Sequence, residues 1–445
     1  MLFGTAGIRG IYSKEITEEL AFRISNVFAD TKQEKLVIAR DTRASGINLR
    51  NAVVAGSMLK GIKIIDLGIV PTPVLAFATV KHNCNGIMIT ASHNPEEYNG
   101  LKLFANGKEI SKAEEAIVEQ QYSKNRLNYD ETKDYQAHLD SDPDIVQDYL
   151  ALVKSQVDAD AIQKKKFKVL VDCNGAAATV SPYLLTNLGC KVTTLNCELT
   201  GFNRKSEPNA ENLSDTIKIA KSIGSEITFA HDGDGDRCVV IDEDGEMLPF
   251  DVQLAIMIEH ELERAKQGTK KVVTTVESSL IVRDAIEKNG GTSIITPVGS
   301  VYISEVIYKE NACFGGEPCG EYVFANAHTG ADGVLAIAKF LEIITKKGKL
   351  SELRKKYATY PIAREKFICN DKSLAIKRIE KAIKELKIKG TINQIDGIRI
   401  DESDGWFLIR PSGTENIMRL TIEYKTQGRL NERLQMLRDL IKRNL

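Results

Sequence analysis

Short β-rich runs and amphipathic helical stretches alternate along most of this chain, and no other feature limits its fold as much. KLVIA (35–39), IKIIDLGIV (62–70), GIMIT (86–90), FKVLVDC (167–173), CKVTTLNC (190–197), EITFA (226–230) and KVVTTV (271–276) are largely apolar runs of strand length. Runs of this kind predict strands buried on both faces. Between them, segments 18–29, 49–60 and 212–223 carry a helical period. This alternation predicts parallel, right-handed βαβ units with helices on both sheet faces. At 445 residues the chain is roughly three times a typical domain length, so several units are expected.

Boundaries follow from changes of character. A polar stretch at 128–144 precedes a helix at 145–157, read as the link out of a first unit. The turn IDEDGEML (241–248) closes a second, and 358–364, with Pro361, closes a third. The remainder changes to a helix (373–386), several strands and a terminal helix (430–444), which fits a small α+β domain. The expected domains are therefore 1–145, 146–249, 250–361 and 362–445. No fixed-period repeat is visible.

The chain has 60 basic and 61 acidic side chains, a formal charge of −1. That balance gives no field for nucleic acid or an anionic membrane, so neither is an expected partner. Eight cysteines occur without a CxxC pair, and Cys313 and Cys319 are too far apart for a zinc half site. They read as reduced thiols packed as small apolar residues. The start MLFGTAGIRG lacks the apolar core of a secretory leader, and no apolar run approaches membrane-spanning length. A cytoplasmic location is expected.

Polar loops follow several of the apolar strands, at the ends where open α/β sheets bind ligands. In HDGDGDR, Asp232, Asp234 and Asp236 alternate with Gly233 and Gly235. Three hard oxygen donors on a flexible loop can converge on one divalent cation, and without a cation they repel one another. Glu243 falls where an EF-hand would have its last ligand. However, Arg237 stands at that loop's glycine position and the flanks are strands, which rejects the EF-hand. A solvated acidic turn is the plain alternative. With oxygen donors only, Mg²⁺ is the expected metal.

TASHNP places Thr90, Ser92, His93 and Asn94 directly after GIMIT. On its own such a loop is as consistent with a capped turn as with a nucleophile. Lys102, in the strand that resumes at Asn99, is either a surface lysine or a group that moves protons or binds phosphate. In FLIRPSGTENIMRLTIEY, Arg410 can fork onto an anion, with Ser412, Gly413 and Thr414 offering N–H groups and hydroxyls. Arg419 lies on the following strand. In GGEPCGE, Glu317 and Glu321 sit on a glycine-rich loop; Glu317 can accept from sugar hydroxyls, or the segment is a structural turn.

Taken in order, these loops resemble the α-D-phosphohexomutase superfamily over nearly the whole chain. FGTAGIRG (3–10) resembles its opening motif, with Arg9 at the active site, and Asp41-Thr42-Arg43-Ala44-Ser45 resembles the next. The resemblance implies that Ser92 is the phosphorylated residue, with His93 beside it. It implies that Asp232, Asp234 and Asp236 hold Mg²⁺ together with the serine phosphate, and that Arg237 flanks the transferring group. Glu317, Cys319 and Glu321 would form the sugar loop, and Arg410, Ser412, Gly413, Thr414 and Arg419 the distal phosphate site.

The implied fold is α/β, with four domains around a central cleft. Three would be doubly wound α/β domains of shared topology and the fourth a smaller C-terminal α+β domain, in a monomer or homodimer. The implied reaction interconverts hexose 6-phosphate and hexose 1-phosphate through a hexose 1,6-bisphosphate, with Lys102 and Arg237 serving proton transfer and charge stabilisation. Many members carry serine and histidine where this chain has Cys319 and Glu321, so the histidine's proton-transfer role does not pass to Glu321. Asn416 replaces a common proline. GGEPCGE with TPVGSVYISE (296–305) most resembles the archaeal-type branch assigned as phosphoglucosamine mutases. Glucosamine 6-phosphate is the expected substrate, with mannose and glucose phosphates as alternatives, and a Mg²⁺-dependent sugar phosphatase as a further one.

Overall fold

The computed structural model describes residues 2–29, 34–124, 138–357, 359–386, 388–412 and 416–445. Each strand named from the sequence is present, beginning with Lys35–Arg40, Lys63–Ile69 and Asn85–Ile89. In the first of these, Leu36 and Ile38 enter one apolar core while Val37 and Ala39 enter another across the sheet. That two-residue alternation is why the run is apolar throughout: both faces are covered. Burying one such isoleucine contributes roughly 1.5–3 kcal/mol. The helix Glu18–Phe28 starts at Thr17, whose hydroxyl accepts from Leu20 N at 3.2 Å.

Three sheets repeat one topology. In the first, a seven-stranded sheet, the four central strands run in the order Lys63–Ile69, Lys35–Arg40, Asn85–Ile89, Tyr98–Ala105. In the second it is Lys191–Leu195, Lys168–Asp172, Ile227–His231, Cys238–Ile241. In the third it is Thr292–Thr296, Lys271–Thr275, Phe314–Glu317, Glu321–Phe324. Counting these four shared strands in chain order, each unit reads second, first, third, fourth. The first three strands are parallel and the fourth is antiparallel. The parallel βαβ expectation therefore holds for the inner strands, and each unit adds a returning antiparallel strand.

That return strand places the chemistry. In every unit the turn from third to fourth strand carries a polar loop: 90–97, 232–237 and 318–320. One apolar core runs through all three units, from Val37 to Leu353, so the loops are held in fixed relation.

The last unit is a five-stranded antiparallel sheet covered by the helices Lys372–Glu385 and Gln427–Asn444. In its strand Gly405–Pro411, Phe407 and Ile409 face those helices, while Trp406 and Leu408 pack on Val276 and Leu280 of the third unit. Glu423 fixes this contact, accepting from Leu280 N at 2.8 Å and from Trp406 Nε1 at 2.6 Å. Among the described residues no helix is long and apolar enough to cross a membrane.

Candidate active site

Ser92 has a left-handed backbone, φ +49°, which costs a non-glycine residue about 1–3 kcal/mol. The surroundings hold it there. Its N–H donates to Thr90 Oγ1 at 2.8 Å, and its carbonyl accepts from Arg43 Nη2 and Ser206 Oγ, both at 2.9 Å. Arg43 is wholly buried and also donates to the carbonyls of Asn94 (2.8 Å) and Tyr98 (2.8 Å), while Asp41 neutralises it at 3.0 Å. Its five-donor fork is thus a strut for the whole turn. The resulting pose aims Ser92 Oγ at Asp232 Oδ2, 2.6 Å away. His93 Nδ1 lies farther off, at 3.5 Å.

The aspartate loop is clamped through its backbone. Arg204 Nη2 donates to the carbonyl of His231 (2.6 Å), Ala176 N to that of Gly233 (3.0 Å) and Thr72 N to that of Asp234 (2.8 Å). Gly235 takes φ +70° at the sharpest point. Asp232, Asp234 and Asp236 are all buried, each with a carboxylate oxygen within 4.8 Å of the others'. Lys102, 1% exposed, bridges Asp234 (2.8 Å) and Asp236 (2.6 Å) through Nζ. It is no surface lysine. Burial opposes its charge, but Asp234, Asp236 and Glu109 outweigh that and raise its pKa.

The triad is electrostatically uneven. Burial, then the neighbouring Asp234 charge, pushes Asp232 up to about 7. Burial would also raise Asp234, but Lys102 and Thr72 hold its carboxyl well below the usual range. The Oδ1 atoms of Asp234 and Asp236 are buried with no hydrogen-bond partner. Orphaned hard oxygens in a buried carboxylate cluster fit a divalent cation. Arg237 and burial, with Arg9, keep the half-buried His93 imidazole neutral.

The segments expected to bind sugar and phosphate lie on the third and fourth units. Arg237 pairs with Glu321 at 2.8 Å, and Cys238 N donates to Gly320 O at 2.9 Å. Glu317, on the same loop, accepts from Gly299 N at 2.8 Å, and burial together with Glu321 raises its pKa well above the usual range. Burial likewise raises the Cys319 thiol, so it is no thiolate. Val298 N donates to Asp396 Oδ2 (3.2 Å), which also takes Arg410 Nη1 (2.9 Å). Arg410 and Arg419 stand directly opposite on adjacent strands, and Arg410 also pairs with Glu277 at 3.4 Å. A cavity of about 500 Å³ opens between the first, third and fourth units, lined by Gly4, Thr5, Lys112, Val298, Tyr302 and Arg410 among others.

Comparison with known proteins agrees with this arrangement. Four family descriptions match in order. Phosphoglucomutase/phosphomannomutase alpha/beta/alpha domains I, II and III match residues 1–129, 147–245 and 250–360, and the C-terminal domain matches 365–440. This chain belongs to the phosphoglucomutase/phosphomannomutase family. It is a phosphohexomutase, an isomerase. A phosphoglucosamine mutase of Methanococcus vannielii is 39% identical, with 97% of each chain covered. A phosphoglucomutase/phosphomannomutase of Thermococcus kodakarensis is 36% identical over 98% of this chain and 97% of that one. Among solved structures, a phosphoglucomutase/phosphomannomutase family protein of Burkholderia thailandensis superposes with a TM-score of 0.87 at 26% identity, covering 100% and 97%.

In this phosphohexomutase, Ser92, Lys102, Arg237 and the aspartate triad are brought together, and Glu321 connects to them through Arg237, with Glu317 paired opposite it on the same loop. Arg9 faces the same centre and shares its electrostatics with Lys102 and Asp234. Arg410 and Ser412 lie on the last unit, where Lys372 Nζ donates to Ser412 O at 2.6 Å. Gly413 and Thr414 fall outside the described residues. Sequence reasoning missed Arg43 as a strut, and it missed Thr72, Ser206 and Glu109. Arg43 lies in the motif Asp41–Ser45, but Thr72, Ser206 and Glu109 have no local signature. A lysine at an inward position of the buried run LKLF was the one available signal for the importance of Lys102.

Proposed function

We propose that this phosphohexomutase interconverts glucosamine 6-phosphate and glucosamine 1-phosphate through phosphorylated Ser92 and a hexose 1,6-bisphosphate. The single observation that carries the reading is the 2.6 Å contact of Ser92 Oγ with Asp232, inside a triad whose Asp234 and Asp236 retain orphaned oxygens. Mg²⁺ held by Asp232, Asp234 and Asp236 would supply charge neutralisation for the serine phosphate. The protein's own part is positioning and electrostatic stabilisation.

Arg43 and the strained Ser92 backbone fix the attacking and leaving oxygen. Arg237 and Arg9 provide positive charge around the transferring group, and Lys102 and the neutral His93 flank it as proton carriers. Glu317 and Glu321, with Cys319 between them, hold the sugar hydroxyls. Arg410, Ser412, Gly413, Thr414 and Arg419 hold the phosphate that is not reacting, so that either end of the bisphosphate is presented to Ser92 in turn. The corresponding domains are 1–145, 146–249, 250–361 and 362–445, and the protein acts in the cytoplasm.

Glucosamine is favoured by the 39% identical phosphoglucosamine mutase, and the Thermococcus relative's name makes mannose and glucose phosphates the second reading. The test is a panel of the three hexose 6-phosphates with catalytic hexose 1,6-bisphosphate and Mg²⁺. The highest kcat/KM for glucosamine 6-phosphate is expected. A higher value for mannose or glucose 6-phosphate supports the second reading, and phosphate release without isomerisation overturns both.

A further inference from the structure

Lys102 and a divalent cation draw on the same two carboxylates, the ammonium through their Oδ2 atoms and the cation through the unpartnered Oδ1 atoms beside them. The ammonium bonds Asp234 Oδ2 at 2.8 Å and Asp236 Oδ2 at 2.6 Å, and both residues belong to the cluster whose donors converge within 4.8 Å. A cation on those carboxylates would repel a lysine left in place. The displaced ammonium is almost wholly buried, so it needs another anion within side-chain reach.

One is at hand. Glu109 Oε1 lies 4.0 Å from Lys102 Nζ, and its side chain is 10% exposed. Glu109 stands opposite Phe104 on the short strand Lys108–Glu109, and Lys102 lies two residues from Phe104 on Tyr98–Ala105. The two side chains therefore share a sheet face as diagonal neighbours. Among the described residues Lys102 is the sole ion-pair partner of Glu109.

We infer that Glu109 is a positioning residue that receives the Lys102 ammonium when the aspartate triad takes up its cation. The inference rests on the reading of Asp232, Asp234 and Asp236 as a Mg²⁺ site. Glu109 lets the metal enter without leaving a buried lysine unpaired. It also keeps Lys102 beside Ser92 and not swung out to solvent.

The test is Mg²⁺ titration of the full-length chain by calorimetry, in the wild type, Glu109→Gln, Lys102→Met and the double variant. Glu109→Gln is expected to weaken Mg²⁺ binding about tenfold, the scale at which outer residues tune metal affinity. In the Lys102→Met background the same change is expected to cost less than about twofold, because no ammonium remains to be moved. Glu109→Asp, which keeps the charge on a shorter stem, is expected to bind more tightly than Glu109→Gln and covers the case in which the glutamine variant folds poorly. Wild-type affinity in Glu109→Gln, an equal loss in the Lys102→Met background, or equal weakness of Asp and Gln would overturn the inference. A wild-type chain that binds no Mg²⁺ would overturn the metal reading beneath it, which separates the two failures.

Discussion

Arg237 donates from Nε at 3.0 Å to a carboxylate oxygen of Glu321, which its Nη2 also approaches to 2.8 Å as an ion pair, joining the aspartate loop of the second unit to the proposed sugar loop of the third. Backbone pairing runs alongside it, since Arg237 and Glu321 also form an antiparallel bridge. The residue that flanks the proposed transferring phosphate and the loop proposed to hold the sugar are therefore tied together.

Removing only the charge of Glu321 tests how much that junction contributes. Glu321→Gln is expected to lower folding stability by about 1.5–3 kcal/mol, the range for a hydrogen bond to a charged group. The measurement is urea unfolding, read as a lower midpoint at unchanged slope. An unchanged midpoint would contradict the prediction.

Arg43 is expected to matter as much as any residue that touches substrate. It is buried, paired with Asp41 at 3.0 Å, and holds the carbonyls of Ser92, Asn94 and Tyr98. Arg43→Ala strands the Asp41 charge and releases the turn, at a cost of about 3–5 kcal/mol. Turnover at a temperature where the variant is still folded should also collapse, because the left-handed Ser92 backbone loses its support. A folded variant with normal turnover would show that the strut is dispensable.

Asp251 should make stability pH-dependent at the contact of the third and fourth units. Burial pushes its carboxyl up to about 6 from an ordinary 3.8, although Arg364 pulls it the other way. A carboxyl raised on folding keeps a proton that the unfolded chain has lost. Its contribution thus favours the folded state in acid and is lost as the pH climbs through that window. Asp251→Asn is expected to melt above the wild type at about pH 8, with the difference shrinking toward zero at about pH 4. Scanning calorimetry at the two pH values measures it, and a difference independent of pH would refute the assignment.

Much of this was legible in the chain before its structure. The apolar runs become strands because alternate residues, such as Leu36 and Val37, feed two separate cores. The polar loops were conspicuous because each interrupts such a run. The threefold recurrence of one strand order was expected only through the family resemblance, since topology requires only apolar residues at alternating positions and leaves no sequence period. Glu109 and Thr72 were hidden for a different reason. Each is a single polar residue whose partner, Lys102 or Asp234, is far away in sequence or on another strand, so only the folded register brings them together. Lys102 read ambiguously because a lone lysine in a strand is exposed unless carboxylates await it, and those carboxylates come from a different unit.

Phosphoryl carriage by Ser92 is tested most directly by the intact mass of the purified protein after incubation with glucose 1,6-bisphosphate and Mg²⁺, compared with Ser92→Ala, alongside mutase turnover of both. The wild type should gain one phosphate located on Ser92, and Ser92→Ala should gain none and lose turnover by several orders of magnitude. A Ser92→Ala protein that keeps near-normal mutase turnover would contradict the account at its centre.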